Sequence, residues 1–215
     1  MDHMEQVEVF LNSPVFNGID IKDIGPLLES LGAVTRVYEA GSYIKRKGDV
    51  LDFYPFIVSG RVSALMPDGG QEHYVSEFTS GDSFAEAIPS AIRFSPVNML
   101  VKEKTMLVCI PAARLDASTE PAAEILRMNL KGELAKKMDV LIKALRVLSE
   151  PKLSDRVIAY LQTLPDNANG SKTIPFSRSE WAGYLRVADK SLIRELRKMQ
   201  SEGLIEVNGR TITLL

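Results

Sequence analysis

Between residues 34 and 110 the apolar positions fall into short β-prone runs punctuated by glycine. The runs are Tyr43–Lys45, Phe53–Val58, Arg61–Met66, His73–Phe78 and Met106–Ile110, with Gly41, Gly48, Gly60, Gly69-Gly70 and Gly81 between them. Short runs at that spacing predict an antiparallel sandwich or barrel. Pro67-Asp68-Gly69-Gly70 joins two of the runs, and glycine there accepts the positive φ of a tight hairpin. The expectation is a β-roll.

The period then changes. From about Glu120 to Ser149 the pattern is helical and free of internal proline, and Leu134, Met138, Leu141, Leu145 and Leu148 recur at alternating spacings of four and three. Such an a/d seam packs against a partner helix and predicts a homodimer. The alternative is a helix packing on its own sheet, because only about two heptads are clean and Gly132 weakens the N-terminal part. Pro151 cannot continue the helix, so Glu150-Pro151 marks a boundary or hinge.

Beyond it the pattern predicts a helix over Asp155–Leu164, a polar loop over Pro165–Ser171, and then a compact module. Ser177-Arg178-Ser179-Glu180 has the spacing of a capping box, opening a helix that runs to about Leu185. A short turn at Arg186–Ala188 leads to a second helix from about Asp189 to Glu202, closed by Gly203. Two helices joined by so short a turn predict a helix-turn-helix, with Ala182 allowing a close crossing and Leu185, Val187, Leu192, Leu196 and Met199 as the shared core. Leu204–Val207 and Thr211–Leu214 flank Asn208-Gly209, a strong hairpin signal that predicts a wing.

Charge points the module at a polyanion. Residues 1–150 carry 16 Lys and Arg against 21 Asp and Glu, whereas residues 151–215 carry 10 against 7. Arg194 on the second helix is the expected base reader, since arginine can donate two hydrogen bonds to guanine O6 and N7 in the major groove. Lys190 and Ser191, with Asp189 beside them, lie at the helix start within reach of a base edge or a phosphate. Arg178, Arg197, Lys198 and Arg210 are expected to hold the DNA backbone. The competing reading is a winged-helix protein–protein module with ordinary surface charge.

Composition removes several other classes. No apolar run approaches the roughly 18 residues of a membrane span and the start of the chain is acidic, so a cytoplasmic protein without a membrane partner is expected. The single cysteine, Cys109, lies in the apolar run Met106–Ile110 and reads as a buried structural thiol. With only His3 and His73 beside it, no cluster has the spacing of a zinc or iron–sulfur site. His73 is expected on the roll surface and His3 in a disordered terminus.

Over nearly its full length the chain resembles the catabolite-activator/FNR (Crp/Fnr) family of bacterial transcription regulators. Gly60-Arg61-Val62 is similar to the family's mid-roll glycine and Gly81-Asp82-Ser83-Phe84-Ala85-Glu86 to its Gly-Asp-x-Phe-Gly-Glu. The C-terminal helices and Asn208-Gly209-Arg210-Thr211-Ile212 are similar to its reading head and wing. The resemblance implies an α+β fold of three parts. These are a cyclic-nucleotide-binding-type antiparallel β-roll (a double-stranded β-helix or jelly roll) over 1–118, a long dimerisation helix over 119–150, and a winged helix-turn-helix over 151–215. It implies double-stranded DNA, a second copy of the chain and a small effector as partners, with RNA polymerase a further candidate. It also implies that Phe84, Glu86, Arg93, Ser95, Leu141 and Ile142 surround the effector.

The departures from the family bear on that effector. Where cyclic-nucleotide binders carry Arg-Ser or Arg-Thr for the cyclic phosphate, this chain has Ser95-Pro96, and Leu141 and Ile142 stand where threonine and serine would meet the base. Unless Arg93 substitutes, the phosphate contacts are gone, and an apolar or uncharged effector is expected in place of cyclic AMP. The alternative is a cyclic-nucleotide-responsive regulator of the same fold. The FNR type's cysteine cluster is absent, and two scattered histidines make haem ligation disfavoured, so no cofactor is assigned. Asp189, Lys190 and Ile193 stand where relatives often carry other readers, so the operator sequence is left open. Two rivals remain: a cupin-type enzyme, which needs a metal-ligand set that His73 alone cannot supply, and a nucleotide-binding module without a DNA role, which leaves the last 65 residues unused.

Overall fold

The computed structural model describes residues 3–87 and 92–215. It divides into two compact units, residues 1–136 and 137–215. The division falls inside the long helix instead of at Glu150-Pro151. The reason is burial: Ala123, Leu126 and Leu130 of that helix join the first unit's core, while Val147 joins the second's.

In the first unit, α1 (His3–Asn12), a 3₁₀ turn (Pro14–Phe16) and α2 (Ile21–Ser30) precede the roll. His3 thus opens a helix, where a disordered terminus was expected. The roll contains β1 (Val34–Tyr38), β2 (Tyr43–Lys45), β3 (Phe53–Asp68), β4 (Gln71–Thr79) and β5 (Asn98–Pro111), followed by α3 (Ala112–Ala117). The sheet order is β1-β5-β3-β4, all antiparallel, with β2 also paired to β5. Two cores result. One lies beneath the helices around Phe16, Phe56 and Leu126, where the rings of Phe16 and Phe56 meet edge to face at 5.0 Å. The other fills the roll around Ile57, Phe84, Leu107 and Cys109.

Two expected runs, Phe53–Val58 and Arg61–Met66, prove to be one bent strand, β3. Gly60 is the bend and not a break: its φ is +98°, and a Cβ there would lie 2.3 Å from Thr105 Oγ1 and 2.6 Å from the Thr105 Cα. Only glycine permits both that backbone and that approach. The register slips around it, with Ile57 opposite Leu107 but Ser59 opposite Met106. At the far end of β3, Asp68 pairs with Gln71, leaving Gly69 and Gly70 as a two-residue loop with φ of +57° and +84°, as a type I′ turn requires.

The helix α4 (Pro121–Ser149) runs from the first unit into the second, where α5 (Leu153–Thr163), β6 (Lys172–Thr173), α6 (Arg178–Tyr184), α7 (Asp189–Ser201), β7 (Ile205–Asn208) and β8 (Thr211–Leu214) follow. The three strands form a sheet in the order β6-β8-β7. Among the described residues, no helix is long and apolar enough to cross a membrane.

Candidate nucleic-acid interface and effector site

The second unit is built to present α7. The capping box forms as expected: the Glu180 amide donates to Ser177 Oγ at 3.2 Å, and the Ser177 amide donates to Glu180 Oε2 at 2.7 Å. That backbone donor holds the Glu180 carboxyl below its ordinary pKa. The helix ends in a 6→1 closure, Val187 N–H to Ala182 O at 3.0 Å, which puts Arg186 at φ +55°. A non-glycine residue in the left-handed region costs about 1 kcal/mol, here balanced by the packing that fixes the turn between α6 and α7.

Trp181, which the pattern did not single out, is the anchor of this unit. It is fully buried, and Tyr160 packs against it with ring centroids 5.5 Å apart. Tyr184 lies 5.0 Å from Tyr160, and burial in this aromatic group pushes the Tyr160 phenol up to about 12. Leu185, Leu192, Leu196 and Met199 are buried beside it as expected, and Val187 is half-buried.

Arg156 is a second residue the sequence reading missed. Its Nε donates to the Glu150 carbonyl at 2.8 Å and its Nη1 to the Leu185 carbonyl at 3.1 Å. One guanidinium therefore ties the end of α4 to the end of α6, satisfying two carbonyls that their helices leave open.

With that support, α7 turns Leu192, Leu196 and Met199 inward and exposes Asp189, Lys190, Arg194, Arg197 and Lys198, while Ser191 is half-buried. Among the described residues Lys190, Arg194 and Arg197 form no ion pair, and Lys198 makes only a 3.8 Å contact with Glu202. The cationic face is therefore available to an anion. Gly203, at φ +70°, closes the helix, with the Leu204 amide donating to the Met199 carbonyl at 3.0 Å.

The wing differs from expectation by one residue. Asn208 pairs with Thr211, so the loop is Gly209-Arg210, with Gly209 at φ +57°. Arg210 at the tip is exposed. Arg178 is committed inside the module: its Nη2 donates to the Gly209 carbonyl and its guanidinium lies 5.4 Å from the Trp181 ring. It clamps the wing to α6, and burial draws its pKa below the ordinary arginine value.

In the first unit the expected effector residues separate. Phe84 is buried, stacked on Phe78 at 5.2 Å. Both line a cavity of about 180 Å³ in the roll whose other walls are Val62, Ala64, Val75, Ser76, Ala85, Val97 and Met99. Glu86 instead lines a cavity of about 110 Å³ with Tyr54, Asp116, Arg127, Leu130, Lys131 and Leu134. Its Oε1 accepts from Ser83 Oγ at 2.7 Å. Ser95 is buried, and its hydroxyl donates to the Val97 carbonyl at 2.6 Å. Arg93 is exposed at φ +64°, and neither it nor Ser95 lines these cavities. Leu141 and Ile142 are exposed on the part of α4 that belongs to the second unit. Cys109 is buried in the roll, and desolvation pushes its thiol up to about 11. His73 is exposed on β4.

Comparison with known proteins agrees with both units. Residues 35–119 match the cyclic nucleotide-binding domain family, and residues 155–215 match the Crp-like helix-turn-helix domain family. The chain is 24% identical over 190 residues to the transcriptional activator protein FnrA of Stutzerimonas stutzeri, covering 84% of this chain and 76% of that one. It is 23% identical over 186 residues to the transcriptional activator protein anr of Pseudomonas aeruginosa, with the same coverage. Among solved structures it is similar to the catabolite activator protein of Thermus thermophilus, with a TM-score of 0.52 at 19% identity, covering 94% of each chain. The c-di-GMP-responsive global regulator CLP of Xanthomonas campestris also gives a TM-score of 0.52, at 22% identity, over 91% of this chain and 99% of that one.

Proposed function

The chain belongs to the Crp/Fnr family of DNA-binding transcription regulators, and from that premise we propose that its operator binding is set by an apolar or uncharged small molecule, and not by cyclic AMP. The protein acts as a homodimer in the bacterial cytoplasm, with α4 pairing against α4 and one recognition helix, α7, entering each half-site. Arg194 reads a base, Lys190 and Ser191 work at the start of the helix, and Arg197, Lys198 and Arg210 hold phosphates.

The observation that carries the effector reading is the wall of the roll cavity. Eight of its nine lining residues are apolar, the ninth is Ser76, and no cationic side chain is among them. A phosphate monoanion entering a partly desolvated site needs charge-assisted hydrogen bonds worth about 1.5–3 kcal/mol each. Ser95 gives its hydroxyl proton to Val97, and Pro96 has no amide hydrogen. The loss of one such bond weakens binding by roughly 10- to 150-fold. A ligand in the roll switches DNA binding only by differing in affinity for two arrangements of the dimer.

Titration calorimetry of the full-length protein with cyclic AMP is the test. Binding no tighter than millimolar is expected. Micromolar affinity, together with tighter operator binding in its presence, would refute the reading and make Arg93 the phosphate ligand.

A further inference from the structure

We infer that the roll cavity binds a simple phenol, a single aromatic ring carrying one hydroxyl group. The inference rests on the reading of this cavity as the effector site and goes beyond it by naming the chemical class that fits. Size sets the first limit. Apolar protein cavities of about 150 Å³ accept one benzene-sized ring, and this one measures about 180 Å³. It therefore has space for one ring with a small substituent and too little for a nucleotide.

The walls set the second limit. Phe78 and Phe84 lie 5.2 Å apart with their planes inclined by 22°, so the stacked pair offers a face or an edge to a third ring. Met99, 2% exposed, adds a polarisable thioether, which also favours an aromatic neighbour. A saturated ring of equal size gains only the burial of its area. Ser76 carries the sole side-chain hydroxyl on the wall, opposite Ala64 in the pairing of β3 with β4. One hydroxyl in an apolar wall matches one hydroxyl on the ligand, because each can donate to or accept from the other. A phenolic group, with a pKa of about 10, also enters uncharged at neutral pH. An entry path is present: Ala64 pairs with Ser76 and Leu65 with Tyr74, which leaves Val75 unpaired in a bulge on the edge strand β4. Val75 lines the cavity and is 51% exposed, so the mouth lies where the sheet is least tied.

The test titrates full-length protein with phenol and with cyclohexanol, which keeps the size and the hydroxyl but not the aromatic ring. Calorimetry should show phenol binding roughly two- to tenfold more tightly. Ser76→Ala should weaken phenol by a similar factor, while toluene, which has no hydroxyl, should bind this variant no more weakly than wild type. Methyl NMR spectra should place the phenol-induced shifts at Met99 and Val62, and Ala64→Leu, which fills the cavity, should abolish them. Should that variant not fold, Val97→Phe at a half-buried part of the wall serves the same purpose. Equal affinity for phenol and cyclohexanol, undiminished phenol affinity in Ser76→Ala, shifts at other methyl groups, or no binding at millimolar phenol overturns the inference and leaves the uncharged-effector reading standing. Micromolar cyclic AMP that displaces phenol from these methyl groups instead overturns that reading, and the ligand class falls with it.

Discussion

Replacing Leu141 by glutamate tests how the protein assembles. Leu141 is 67% exposed and its seam neighbour Leu145 is 71% exposed, and their spacing of four puts both on one stripe of α4. Burial of a leucine side chain contributes about 2 kcal/mol, so removing it from both copies costs a two-fold dimer about 4 kcal/mol. The two introduced carboxylates would then face one another in an apolar contact, adding at least about 2 kcal/mol. A total near 6 kcal/mol raises the dimer dissociation constant by about four decades. Sedimentation velocity from nanomolar to about 100 μM reads this directly, with wild type dimeric and Leu141→Glu monomeric at about 10 μM. Val140, 63% exposed but about 100° around the helix from Leu141, supplies the control: Val140→Glu should leave the dimer intact. A Leu141→Glu protein still dimeric at about 10 μM would show that the copies meet elsewhere and that the a/d seam serves another purpose.

Three further outcomes are expected. Arg194→Ala should lose about 1–3 kcal/mol of specific binding and relax base preference at one position, whereas Arg210→Ala should weaken all sequences alike and reduce the salt slope by about 1; a competition assay with unchanged preference for Arg194→Ala would remove it as reader. Gly60→Ala should cost about 3 kcal/mol or more in urea unfolding, from the left-handed backbone and the approach to Thr105, and a loss below about 1 kcal/mol would contradict that account. The Cys109 thiol, pushed up to about 11 by burial, should react with a thiol reagent at pH 8 far more slowly than in the unfolded chain. Because its folded pKa is raised, the stability tied to the neutral thiol is complete below the unfolded value and lost as pH rises through about 11; a native reaction rate matching the unfolded one would show an accessible thiolate.

Features set by neighbours a few residues apart were legible in the sequence. The capping box of Ser177 and Glu180, the left-handed Gly203, the Gly69-Gly70 turn and the helical period of α4 and α7 are each written within about one turn of chain, so local chemistry specifies them. The sign of charge along the exposed face of α7 was equally plain, because helical spacing alone assigns its faces. What tertiary structure decided involves partners distant in the chain. Gly60 bends one strand because Thr105 lies against it, and no local pattern distinguishes a bend from a break. Arg178 has the sequence context of a phosphate ligand but closes on the wing carbonyl of Gly209, 31 residues away. Arg156 gains its role from two carbonyls, one in each neighbouring helix end. Phe84 and Glu86, two residues apart, line different cavities because the left-handed backbone at Ala85 stands between them. Periodicity determines which face of an element is buried, but the residue that meets that face is chosen only when the chain packs against itself.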